Sequence, residues 1–433
     1  MKGKIETVKT VVLWALVFCM LGLIRITWVY GLDYENVPEN VMFHGLFALA
    51  PEEPENLPAA SISAYPVQFA VGKDGELTAL QQDAAALQSA FGTVSPVLRE
   101  AFSNLGQWQE VQDIKPYLQQ PLLYLHYDGA LPLPLLAAWL EAPCQSTLSV
   151  GTMLLVQESE QQYAVLVRNG SDGRLYKGST AVDERLFSDT LHQFSLSSCQ
   201  FAADLAYESL VPETLVFTEH APYQTARPVS VDFSQVGGQE SKQSVLEAFE
   251  YNPYTAKSYY DEGESAWVYV ENDSTLSITD NGRITFEASV ESGGLAAYPK
   301  QDLVSRQQEL LYKTNLCHTI LQSAYESVGG GETYLSRVTA GEKDGMETIC
   351  FDGALQSVPV SLETGYLAKF VFQDNLLVSS VIYLSKYKMT GETVFVMPME
   401  QVAASIRGGD TGVCVRYEQA DGVLAPKVKR IDR

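Results

Sequence analysis

The sequence predicts an α+β protein carried on one N-terminal transmembrane helix. Three observations support this. An apolar run of 23 residues, Thr10 to Leu32, stands near the start. Beyond it come short strand-like segments separated by Gly, Asn and Asp turns. The order of a helix followed by an antiparallel meander then recurs along the chain, as in folds of antiparallel sheets packed with helices.

The apolar run TVVLWALVFCMLGLIRITWVYGL would span about 34 Å as a helix, enough to cross a bilayer with some tilt. Lys2, Lys4 and Lys9 lie in the tail of residues 1–9, which puts the N-terminus in the cytoplasm and the following 400 or so residues outside. Trp14 toward the inner end and Trp28 and Tyr30 toward the outer end are candidate interface anchors. A cleaved signal peptide is the rival reading, because Val11–Ile24 has the length of an h-region. Against it, bulky Ile26, Trp28 and Tyr30 follow and no A-x-A site appears. Arg25 is the one charge within the run. It either snorkels to the outer headgroups or pairs with the transmembrane helix of a partner. Trp14, Arg25, Trp28 and Tyr30 are therefore the candidate partner-binding residues.

Residues 33–64 hold Pro38, Pro51, Pro54 and Pro58 with Glu52, Glu53 and Glu55, a spacer composition. A first α+β domain is expected over 65–227. It contains a strand at 67–71, a helix face of Leu80, Ala84, Leu87 and Phe91, a buried strand at 121–129 and a helix at 134–142. A meander follows at 153–157, 163–169 and 174–182. A middle unit, 228–300, has a helix at 239–250 and strands at 267–272 and 274–289. In the last of these Asn281-Gly282 supplies the positive-φ pair of a tight hairpin. A C-terminal domain, 301–433, opens with the longest helix, 302–326, stopped by Gly329–Gly331. Its strands are expected at 333–340, 346–352, 366–373, 376–386 and 393–397, then a helix at 399–406 and a strand at 413–418.

Composition excludes several function classes. Hydrophobic content is 46% and charged content 19%, so the body folds. Beyond residue 32 the chain carries 25 basic and 52 acidic residues, a net charge of -27, which disfavours nucleic acid and other polyanions as partners. Cys144, Cys199, Cys317, Cys350 and Cys414 are scattered without a CxxC pair, and are expected to be buried free thiols; Cys19 lies in the apolar run. His44, His126, His192, His220 and His318 are far apart, so neither zinc nor another metal is signalled, and His126 in its apolar strand is expected to be a satisfied core residue. No GxSxG, P-loop or GxGxxG is present, which leaves neither a catalytic residue nor a cofactor to name. Asp261, Glu262 and Glu264 are expected on a solvated turn instead of forming a glycosidase pair. Tyr251, Tyr254, Tyr259, Tyr260, Trp267 and Tyr269 form an aromatic concentration that suits either a sheet core or a binding surface, with the core favoured.

The segments TWVYGLDYEN (27–36), VQFAVGKDGELTALQQD (67–83), LLYLHYDGALPLPLL (122–136) and the stretch 245–289 resemble, in their order, the YycH/YycI family of Gram-positive bacteria. SVPVSLETGYLAKFVFQDNLLVSSVIYL (357–384) with MEQVAASI (399–406) is similar to that family's C-terminal module, which is PepSY-like. Arg25 departs from the pattern, as does the ending VLAPKVKRIDR. The resemblance implies a non-catalytic protein of the cell membrane, acting on the WalK sensor histidine kinase of the WalK/WalR (YycG/YycF) two-component system in cell-wall homeostasis. Its expected partners are that kinase and a related YycH/YycI-type protein. The alternative is an extracytoplasmic ligand-binding or structural envelope protein without a role in kinase control.

Overall fold

The computed structural model describes residues 66–432, apart from short segments at 81–83, 195, 206, 218–221, 234–237, 290–293, 299–303, 327, 329–330, 342–344, 407–410 and 421. The apolar run 10–32, with Trp14, Arg25, Trp28 and Tyr30, and the spacer 33–64 lie outside the described residues. Among the described residues no helix is long and apolar enough to cross a membrane.

The described chain is α+β, with three antiparallel sheets. The first has nine strands, and Leu122–Pro132 runs near its centre between Ser149–Ser159 and Gln68–Lys73. Its sequence LLYLHY is nearly all apolar because both faces are covered. Leu123, Leu125 and Tyr127 enter the main core, whereas Leu122 and Tyr124 enter a second cluster with Phe201 and Leu215. Leu80 ends a strand, Glu76–Leu80, and does not begin the helix. Asp74 and Gly75, both at positive φ, turn the chain back after Gln68–Lys73 and commit 76–80 to pairing. The helix that follows, Ala84–Ser103, buries Leu87, Phe91, Val94 and Leu98 on one face in the main core.

The second sheet has ten strands drawn from residues 257–288, 295–296 and 332–383; Arg283–Ala288 pairs directly with Leu376–Tyr383. The hairpin between Ser274–Thr279 and Arg283–Ala288 uses only one positive φ, at Gly282. The connection is a three-residue loop instead of a two-residue turn, and one left-handed residue suffices. The long helix Arg306–Glu326 sets Leu310, Cys317, Ile320, Leu321 and Ala324 into the same core as the first sheet, so both sheets share one apolar interior.

The third sheet has four strands in the order Lys386–Val394, Tyr223–Val229, Val423–Asp432 and Thr411–Ala420. The strand expected at 393–397 is displaced to Lys386–Val394, since its pairing partner is Tyr223–Val229 from far earlier in the chain. Phe395 and Met397, within the expected range, are exposed beyond its end.

Candidate functional site

Strand Leu122–Pro132 breaks its pairing at one place. His126 stands opposite Thr152 and Leu131 opposite Val150, so residues 127–130 face Gly151 alone. Ser149–Ser159 skips the same glycine on its other side, where Val150 pairs Asn169 and Thr152 pairs Arg168. Surplus residues at one register step must leave the sheet plane, which makes a wide bulge. It opens a hollow of about 360 Å³, lined by His126–Ala130, Gly151, Thr152, the turn 168–173 and Arg416.

The bulge is held from the other two sheets. Asp128, whose side chain is 2% exposed, accepts hydrogen bonds from the Tyr334 hydroxyl and from Arg416 Nη2. Tyr334 belongs to Glu332–Ala340 of the second sheet and Arg416 to Thr411–Ala420 of the third. One carboxylate thus ties all three sheets together. Gly129 lets them close, because a Cβ there would overlap the Ser336 carbonyl oxygen. Burial pushes the Asp128 carboxyl above the usual carboxylate range, against the opposing pull of Arg416 and the Tyr334 hydroxyl. Burial works against the Arg416 charge, but Asp128, Tyr334 and Cys414 together outweigh this and hold the guanidinium protonated.

Several other polar side chains of the lining are engaged by their neighbours, whereas the buried Tyr127 hydroxyl has no hydrogen-bond partner among the described residues. Arg168 grips Glu213 with Nε and Nη2, the latter at 3.0 Å, and Nη1 donates to the Gly173 carbonyl at 2.9 Å. Asn169 Oδ1 accepts from Ser149 N at 3.1 Å and from Ser149 Oγ at 2.8 Å. Asp172 Oδ1 takes the Arg174 N–H at 3.0 Å, and that bond holds its carboxyl below the usual range. His126, 6% exposed, shares a 3.1 Å hydrogen bond between Nδ1 and Thr152 Oγ1. Its ring is committed to the sheet, and no serine or cysteine nucleophile stands in that bond. Among the described residues no group of three His, Cys, Asp or Glu side chains is placed to hold a metal. The lining therefore offers polar recognition around a structural junction.

A second ionic cluster lies on the long helix. Lys313 is 1% exposed and reaches Glu347 at 3.1 Å and Glu309 at 2.5 Å, with its ammonium 5.6 Å from the centre of the Phe372 ring. Arg306 pairs with the same two carboxylates. The cluster fixes the helix to strand Met346–Leu355.

The expected partner-binding residues Trp14, Arg25, Trp28 and Tyr30 all lie outside the described residues. The aromatic concentration divides. Tyr251 is buried and Trp267 and Tyr269 are half-buried, whereas Tyr254, Tyr259 and Tyr260 are exposed. Asp261, Glu262 and Glu264 surround a turn closed by the Gly263 N–H on Asp261 Oδ1 at 2.8 Å. Asp128, Tyr334 and Arg416 were not singled out from the sequence; the only local signal was an aspartate and a glycine interrupting an apolar strand.

No family model matches the chain, and no curated protein sequence does. Among solved structures, YycH from Bacillus subtilis aligns with a TM-score of 0.53 at 12% identity, covering 86% of this chain and 96% of that one. The fold is of the YycH type. An uncharacterized protein from Eubacterium rectale aligns over 49% of this chain and 77% of its own at 11% identity. Its TM-score of 0.28 carries no argument. The YycH-type likeness spans most of the described residues, and it bears out the α+β architecture of antiparallel sheets with helices.

Proposed function

We propose that this chain is a non-catalytic, membrane-anchored extracytoplasmic regulator of a two-component sensor histidine kinase. The observation that carries the reading is the YycH-type fold over 86% of the chain. In this reading residues 10–32 span the membrane, the N-terminus is cytoplasmic, and the kinase and a related YycH/YycI-type protein are the partners. Trp14, Arg25, Trp28 and Tyr30 face the partner helices. The mechanism needs only unequal affinity for two kinase conformations. A tenfold shift takes about 1.4 kcal/mol, within what one packed helix pair provides.

Photocrosslinking from positions 14–28 of the full-length protein in membranes tests this. Capture of a sensor kinase is expected, and failure to capture any membrane protein would sink the reading. Arg25→Leu separates the two roles of that residue: loss of regulation with normal export assigns it to helix pairing, and retention assigns it to snorkelling.

The alternative of a ligand-binding envelope protein has one observation in its favour, the hollow of about 360 Å³ beside Asp128 and Arg416. That size suits a small polar molecule. Ligand-induced protection of Arg416 and the turn 168–173 in hydrogen exchange would support it.

A further inference from the structure

The second sheet ends in an edge strand, Lys257–Asp261, with sequence KSYYD. Among the described residues it pairs on one side only, with Ala266–Glu271, so its other side presents a row of backbone donors and acceptors. Residues 257–260 are exposed, Tyr259 at 56%, and Tyr254 just before the strand reaches 87%. Tyr260 is the more tethered of the strand's tyrosines, its hydroxyl donating to Asp280 at 2.7 Å and its ring lying against Trp267.

The order of charges along this strand matters. Lys257, Tyr259 and Asp261 share one face by alternation. If a second KSYYD strand runs antiparallel with a two-fold axis at Tyr259, each Lys257 stands opposite the other chain's Asp261, and the two Tyr259 rings meet at the axis. All three contacts fall on one face. Opposite charges and paired aromatics directly across an antiparallel ladder are the favourable combinations. The strand is thus complementary to itself, as an isologous interface requires.

We propose that this edge joins two copies of the chain, continuing the second sheet across a two-fold axis. The general acidity of the chain opposes self-association, but that repulsion is screened beyond about 8 Å at physiological salt, whereas the Lys257–Asp261 contacts are local. The proposal stands apart from the kinase reading and from the identity of the anchor.

Disulfide trapping in membranes carrying the full-length chain provides the test. Tyr259→Cys, oxidised with copper phenanthroline, is expected to give a product of twice the chain mass that the unsubstituted chain does not give. Adding Lys257→Glu turns two symmetry-equal attractions into repulsions and is expected to lower the yield about tenfold. Adding Asp261→Lys to that variant reverses both charges and is expected to restore much of the yield. Because Lys257 is exposed, Lys257→Glu alone keeps the fold. Sedimentation of that single variant in detergent should show about tenfold weaker dimerisation by a route free of cysteine chemistry. Absence of the dimer product, a product containing a different protein, or a yield indifferent to Lys257→Glu would each overturn the proposal.

Discussion

Replacing Arg416 by methionine tests the three-sheet junction most directly. The substitution leaves the Asp128 carboxylate, 2% exposed, with the Tyr334 hydroxyl as its hydrogen-bond partner among the described residues and the more distant Lys429 charge. Removing one member of a buried pair typically costs about 3–5 kcal/mol. Asp128→Asn is the milder change, because it removes the buried charge, its amide oxygen still accepts from one of the two donors, and its amide nitrogen can donate to the Tyr334 hydroxyl oxygen. The Arg416 guanidinium left behind is 19% exposed and borders the hollow, so water reaches it, and about 1–3 kcal/mol is expected. The two losses also differ in pH dependence. Burial already raises the Asp128 carboxyl, and removing Arg416 takes away the pull that opposes this. A group raised in the folded state contributes stability below its unfolded pKa of about 4, and that contribution is lost as pH rises through the folded value. The Arg416→Met deficit should therefore be widest near pH 8 and narrow toward pH 5, while that of Asp128→Asn, which has no carboxyl at 128, should not follow this course. Urea unfolding followed by tryptophan fluorescence at both pH values measures this. Equal losses for the two variants, or a gap for Arg416→Met that does not narrow in acid, would refute the argument.

Gly129→Ala places a methyl group against the Ser336 carbonyl, and a loss of about 3 kcal/mol is expected, with faster hydrogen exchange in strand 332–340 as the local readout. His318 is buried, which lowers its pKa, so its contribution to stability is present above an unfolded value of about 6.5 and lost as pH falls below it; His318→Gln should flatten the stability profile between pH 7 and 5. The five described cysteines are free thiols, four of them buried, and burial pushes Cys199 up to about 12 and Cys414 up to about 11. Mass spectrometry after brief alkylation at pH 8 should find half-buried Cys144 modified first, and the other four only on unfolding.

How much of this was legible in the sequence depended on the range of the interactions. The meander of strands 149–159, 162–169 and 175–180, the long helix and the burial of His126 rest on local periodicity, and they were read within a few residues. The edge strand 257–261 was missed because all but its last residue are exposed, so no alternation marks it. Its tyrosines were weighed as core, yet Tyr259 and Tyr260 stand exposed at the sheet's edge. The third sheet was missed for another reason: it pairs residues 223–229 with 386–394 and 424, separations that no local pattern records.

The Asp128 junction lies beyond sequence reading for the same cause carried further. Tyr334 is 206 positions away and Arg416 is 288, and each sits in a strand whose local pattern is satisfied without reference to Asp128. What the sequence did contain was a breach of its own rule, a charged residue and a glycine following LLYLHY in a strand covered on both faces. Burying such a carboxylate is unfavourable unless partners meet it there, so the breach implies that distant elements converge on residue 128. In a fold whose first and second sheets already share one apolar interior, that convergence adds direction, because only the register that brings Tyr334 and Arg416 to Asp128 satisfies the carboxylate. The bulge and its hollow then follow from the fold's own assembly, and any ligand bound there would act on the point where the three sheets meet.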